Sequence, residues 1–182
     1  MVYVALLRGI NVGGNNKIDM KQLRITFERV GMTSVVTYIN TGNIIFGSDL
    51  PTVAAISTKL EEVIEEDFGL SIRVITLSLD KMRSIMRKIP ESWTNDQTMK
   101  SDIMFLWNEL DHNSVLDRLV IKPEIDTVIY TPGAVLWSVD RDNVTRSGMM
   151  KLAGSKEYQY MTVRNVNTTR KIYELMINMN GE

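Results

Sequence analysis

Cysteine is absent from the chain and histidine occurs once, as His112. The first absence removes disulfides, thiolate metal sites and a cysteine nucleophile together. The second leaves no imidazole pair for a two-histidine metal centre and, away from His112, no base for a Ser-His hydrolase. His112 lies in the polar stretch NELDHNS and reads as a solvated loop residue. No apolar run approaches the length of a membrane span. The start, MVYVALL, has no basic segment before it and stops at Arg8, so a cytoplasmic protein with no membrane partner is expected. A charge excess is lacking too. Lys and Arg total 21 against 22 Asp and Glu, so any affinity for anions has to come from local clustering. What is present is an ordinary globular mixture, 44% hydrophobic and 24% charged over 182 residues, enough for one large domain or two small ones.

Hydropathy patterning orders the first half clearly. Val2–Leu7 is a short apolar run ending near Gly9 and reads as a buried strand. Asp19 is placed to cap a helix carrying Met20, Leu23, Phe27 and Val30 on one face and ending at Gly31. SVVTYIN and NIIFGS flank Thr41 and Gly42 as a hairpin. Pro51 opens a second helix with an apolar stripe of Val53, Ile56, Leu60, Val63 and Ile64, closed by Gly69. LSIRVITLS supplies a fourth strand. Strand, helix, strand, strand, helix, strand is the split βαβ order of a ferredoxin-like fold.

A short helix, Leu79 to Ile89, and the polar stretch PESWTNDQTMK lead into a second half that restarts the pattern. DIMFLW reads as a strand, HNSVLDRLV as a short helix, and DTVIYT with AVLWSV as a hairpin turning at Pro132 and Gly133. Helical or irregular chain follows from Asn143 to Tyr160, and the last helix carries Ile172, Leu175, Met176 and Met179. The expected class is α+β: two tandem ferredoxin-like (α/β plait) halves packed together, residues 1–78 and 79–182, the second less regular and holding the connecting and terminal helices. Because Val2, Val4 and Leu6 alternate with Tyr3, Ala5 and Leu7, β-strand one is apolar on both faces. Tyr3 is therefore expected to be core, buried against the second half, and not a platform for RNA bases. The third strand, INTGNIIF, also lacks the aromatics that precede Phe46 in an RNA-recognition domain, so nucleic acid is the weaker partner.

The stretches YVALLRGINVGGNNKIDM, LRITFERVGM, VVTYINTGNIIF and TVRNVNTTRKIYEL resemble the DUF1697 family of bacterial proteins. The resemblance covers nearly the whole chain and is densest from Tyr3 to Phe46. Departures are mild: that family usually has Lys or a similar residue near Asn15, Ser near Thr41 and Trp near Val166. The resemblance implies a pair of ferredoxin-like halves. It implies no activity, since the family has none assigned.

The loop LLRGINVGGNNKI poses the functional question. Gly9 and Gly14 have the spacing of a phosphate-binding P-loop, but Asn15 and Asn16 precede Lys17 and Ile18 stands where a hydroxyl is needed. No Gly-x-Gly of a dinucleotide site is present either. There remains a glycine-rich turn leading toward a helix start, bracketed by Arg8 and Lys17, where free amides and the helix dipole favour an anion. The competing reading is that Gly13 and Gly14 only supply positive φ for a tight connection and the asparagines cap it. Near the chain end Asn167 is placed to cap the final helix, with Arg164, Asn165 and Thr168 at its start.

The expected function is a binding module for an anionic, phosphate-bearing ligand: a small metabolite, a nucleotide or, less well supported, a nucleic-acid phosphate. Its residues would be Arg8, Asn11, Gly13, Gly14, Lys17, Thr41, Asn43, Arg164 and Asn165, with Arg8, Lys17 and Arg164 converging on one anion. The alternatives are an enzyme at the same place, independent of metal and cysteine and using Thr41, or a structural or partner-binding protein. In the structural case Arg164 would pair with Glu157 or Asp142. No cofactor or metal is called for, and the oligomeric state is left open.

Overall fold

The computed structural model describes all 182 residues, Met1 to Glu182. They divide into two compact units, Met1–Arg83 with Ile172–Glu182, and Ser84–Lys171.

In the first unit the elements run β1 (Val2–Leu7), α1 (Met20–Arg29), β2 (Thr33–Tyr38), β3 (Asn43–Gly47), α2 (Val53–Phe68) and β4 (Val74–Ser78). The strands form one antiparallel sheet in the order β2-β3-β1-β4. Local chemistry sets the helix ends. The Asp19 carboxylate accepts from the amides of Lys21 and Gln22 at the start of α1. Thr52, one residue beyond Pro51, caps α2 through Ala55, and Gly69 closes it in the left-handed conformation with φ 66°.

Packing follows the predicted faces. Leu23 and Phe27 of α1 and Ile56, Leu60 and Ile64 of α2 bury against Tyr3, Ala5, Leu7, Ile44 and Phe46 of the sheet. Each such side chain contributes roughly 1.5–3 kcal/mol on leaving water. Phe46 stacks on Tyr3 (ring centroids 6.0 Å apart) and meets Phe27 edge-on (5.6 Å). Tyr3 is core, as its alternation predicts, and lies in one buried cluster with the helices and Phe46 of its own unit. Val4 and Leu6, on the opposite face of β1, are also fully buried. Val53 departs from its expected stripe and is exposed.

Helix α3 (Leu79–Met86) stops short of the Ile89 expected for it. The second unit then holds β5 (Met99–Leu106), β6 (Asp126–Thr131), β7 (Ala134–Asp140) and β8 (Met161–Asn165), followed by α4 (Val166–Asn180). These strands are antiparallel in the order β6-β7-β5-β8, which repeats the first sheet strand for strand. The two crossover helices are replaced by 3₁₀ segments, Asn113–Arg118 in the first connection and Arg141–Arg146, Gly148–Gly154 and Lys156–Tyr160 in the second. Runs this short hold little helix by themselves, so packing and side-chain ties fix them. The boundary between the units falls inside α3 and inside α4, so residues 79–83 and 172–182 group with the first unit.

The main tie is Asp126 at the start of β6. Its carboxylate accepts from the Ser147 hydroxyl and from the amides of Gly148 and Lys122, both at 2.9 Å. A Cβ on Gly148 would lie 1.7 Å from the Val120 carbonyl oxygen, so only glycine fits there. The polar stretch before β5 is tied down as well. Arg170 donates to the Trp93 carbonyl (2.6 Å), Arg141 to that of Asp96 (2.8 Å) and Asn167 to that of Asn95 (2.9 Å).

Candidate functional site

The glycine-rich loop between β1 and α1 is a miniature hairpin. Gly13 and Gly14 have φ of 59° and 77°, and the amide of Asn15 donates to the Val12 carbonyl at 3.0 Å, which is a type I′ turn. A further bond, from Asn11 N to Asn16 O (3.1 Å), extends the ladder. The glycines are thus there for backbone conformation, with open space where a Cβ would be.

Asn11 and Asn16 also take positive φ, 54° and 48°, which asparagine tolerates because its amide bonds local backbone. Asn11 uses that amide fully. Its Oδ1 accepts from the Ile18 amide (2.9 Å) while Nδ2 donates to the carbonyls of Ile18 (3.1 Å) and Asn40 (2.7 Å). Asn16 Nδ2 donates to the Gly9 carbonyl (3.0 Å). The base of the loop is fixed by Leu7 N to Gly42 O (2.9 Å) and Arg8 N to Arg73 O (3.1 Å).

The β2–β3 turn beside it is equally constrained. Gly42 has φ 89°, and a Cβ there would sit 2.7 Å from Leu7 Cβ and 3.1 Å from Ile10 Cδ1. Asn43, fully buried, spends both N–H groups on the Tyr38 carbonyl (3.1 Å) and the Thr41 hydroxyl (3.0 Å). Ile39 takes φ 49° while 48% exposed, a conformation that costs a β-branched residue about 1–2 kcal/mol.

What the loop offers a ligand is specific. The amides of Gly13 and Gly14 at the exposed tip make no hydrogen bond, and the exposed Lys17 makes no ion pair. Arg8 is half-buried at the loop base. The start of α1 is not open in the way the sequence suggests, because Asp19 already occupies its first-turn amides with a negative charge (2.8 and 3.0 Å).

Arg164 and Asn165 belong to the other unit. Arg164 is buried in β8 and donates through Nη1 to the Thr162 hydroxyl (2.8 Å) and the Val163 carbonyl (2.9 Å); burial pulls its pKa down to about 10. Glu157, one carboxylate proposed for it, is held by Arg118 at 3.3 Å. Asn165, not Asn167, caps α4, with Oδ1 accepting from Thr168 N at 2.9 Å. β8 announces itself weakly in sequence, because Met161 and Val163 alternate with Thr162 and Arg164 over only five residues.

His112 is half-buried, precedes a 3₁₀ turn and pairs through Nδ1 with the Ser114 hydroxyl. No three His, Asp or Glu side chains gather in a metal-holding arrangement. No helix is long and apolar enough to cross a membrane.

No curated protein matches the chain. Among solved structures it is similar to the conserved bacterial protein SP0830 from Streptococcus pneumoniae, with a TM-score of 0.83 and 28% identity over 96% of this chain and 98% of that one. The model of the DUF1697 family, described as protein of unknown function, matches residues 1–137, and the chain belongs to that family.

Proposed function

We propose that the chain is a cytoplasmic bacterial binding module, built of two ferredoxin-like plaits, whose ligand is anionic and phosphate-bearing and sits at the glycine-rich loop. The matching strand orders, β2-β3-β1-β4 and β6-β7-β5-β8, support the plait reading. One observation carries the binding reading: a stiff, exposed type I′ turn presents the unbonded amides of Gly13 and Gly14, with Lys17 exposed and without a carboxylate partner. Amides held in place by the side chains of Asn11 and Asn16 lose little entropy on meeting an anion. The ligand's position is the loop tip and Lys17, because Asp19 repels a phosphate from the first turn of α1.

Thermal denaturation tests this. Pyrophosphate, nucleotides or a short RNA should raise the melting temperature of the wild type, and Lys17→Ala should abolish the rise without altering the unliganded value. A wild-type melting temperature indifferent to all of them removes the proposal.

A second reading, a partner-binding protein, is favoured by Ile39. A strained, half-exposed apolar residue at a turn fastened to the loop is costly to keep for the fold alone. Ile39→Asn should raise stability if that strain is real; no gain removes the support.

A further inference from the structure

We propose that the outer edge of β6 is a self-association surface, pairing antiparallel with β6 of a second copy of this chain about a twofold axis at Ile129. Each four-stranded sheet has two edge strands, and three of these edges are unsuited to pairing. β2 is interrupted by a register shift between Thr33 and Val36, with Ser34 at φ 51°. β4 and β8 are made largely of buried residues. β6 is regular throughout its pairing with β7, and Thr127 to Tyr130 are exposed or half-exposed.

The edge also has free bonding capacity. Thr131 faces Ala134 as the last pair of the hairpin, so the alternation of an antiparallel ladder commits Thr127, Ile129 and Thr131 to β7. Asp126, Val128 and Tyr130 turn their backbone groups outward. The Asp126 amide is taken by the Lys122 carbonyl at 2.7 Å, whereas the outward groups of Val128 and Tyr130 bond nothing. Edges of this kind are normally blunted by lysine, proline or a bulge, and TVIYT contains none of them.

The occupant follows from the sequence of the edge. TVIYT is a near-palindrome about Ile129, and a twofold axis needs a self-complementary patch. Antiparallel pairing places Ile129 against Ile129 of the second copy and Thr127 against its Thr131, all on one face. On the other face Val128 meets Tyr130, a β-branched residue against an aromatic, and each such pair exchanges both of its backbone hydrogen bonds. Asp126 falls opposite Pro132, so no like charges meet within the strand. Any other strand would need to match this register by chance.

Sedimentation of the full chain tests the proposal. The wild type should form a dimer whose fraction rises with concentration. Val128→Pro removes an outward amide without breaking a bond to β7, and Ile129→Lys sets two ammonium groups together at the axis; both should sediment as monomers. Because the chain has no cysteine, Ile129→Cys introduces a single thiol that should oxidise to a covalent dimer faster than the control Val36→Cys on β2. A wild type that stays monomeric, a dimer that survives both substitutions, or equal crosslinking of the two thiol variants would each overturn it.

Discussion

The side chain of Asn11 donates to the main-chain carbonyl of Asn40 at 2.7 Å, a bond between positions 29 residues apart in sequence. One amide thereby joins the glycine-rich loop to the β2–β3 turn, and its remaining bonds to Ile18 hold the strand-like approach to α1. Residues that read from sequence as ligand contacts are here the frame that gives the loop its shape.

Asn11→Ala is accordingly expected to cost about 2–3 kcal/mol, from lost hydrogen bonds and from an alanine held at positive φ. Asn11→Gly should cost less, since glycine accepts the backbone angle. Urea denaturation of the two variants checks the order, and equal stabilities would show that the φ of 54° contributes nothing.

The glycines divide by mechanism. At Gly13 and Gly14 the only obstacle to a side chain is φ, so alanine should cost about 1–2 kcal/mol. Gly42→Ala adds a collision with Leu7 Cβ at 2.7 Å and should cost more than either. Melting temperatures of the three variants should fall in that order.

Much of this frame was legible beforehand. The alternation in VYVALL, the cap at Asp19, the stop at Gly69 and the two-residue turn at Pro132 and Gly133 each correspond to an observed boundary or turn. The reason is that these signals are local, acting within a turn of helix or a few strand residues. Three things escaped because they depend on contacts distant in sequence. β8 is a strand because β5 pairs with it. The tie from Asp126 to Gly148, 22 residues on, which fixes the 3₁₀ segment there, has no local signal. The bonds of Asn11 to Asn40 and of Arg170 to Trp93 leave no trace in periodicity. At the candidate site, the positive φ of Gly13 and Gly14 was readable from glycine itself, whereas the use of Asn11 and Asn43 as internal ties was not.

Asp126 makes stability depend on pH. Burial pushes its pKa up, but the donors Ser147, Lys122 N and Gly148 N outweigh burial and leave it below the usual carboxylate value. The Trp137 indole N–H also acts to lower it, though at a geometry outside a true hydrogen bond, since Trp137 Nε1 is otherwise without a partner. A carboxyl with a depressed folded-state pKa stabilises fully above its unfolded value of about 3.9 and loses that contribution as pH falls through the folded value.

Asp126→Ala should therefore cost about 2–4 kcal/mol near neutrality, by stranding a hydroxyl and two amides. The gap to wild type should narrow in acid. Urea midpoints measured from neutrality into the acid range check the sign, and a gap that widens on acidification would contradict it.

The binding account is tested most directly by titrating pyrophosphate and a nucleotide into ¹⁵N-labelled protein and following the backbone amide resonances. Saturable shifts should centre on Gly13, Gly14 and Lys17, be lost in Lys17→Ala, and leave the capped amides of Lys21 and Gln22 nearly still. Resonances of the loop that do not move, or shifts that arise elsewhere and survive Lys17→Ala, would contradict it.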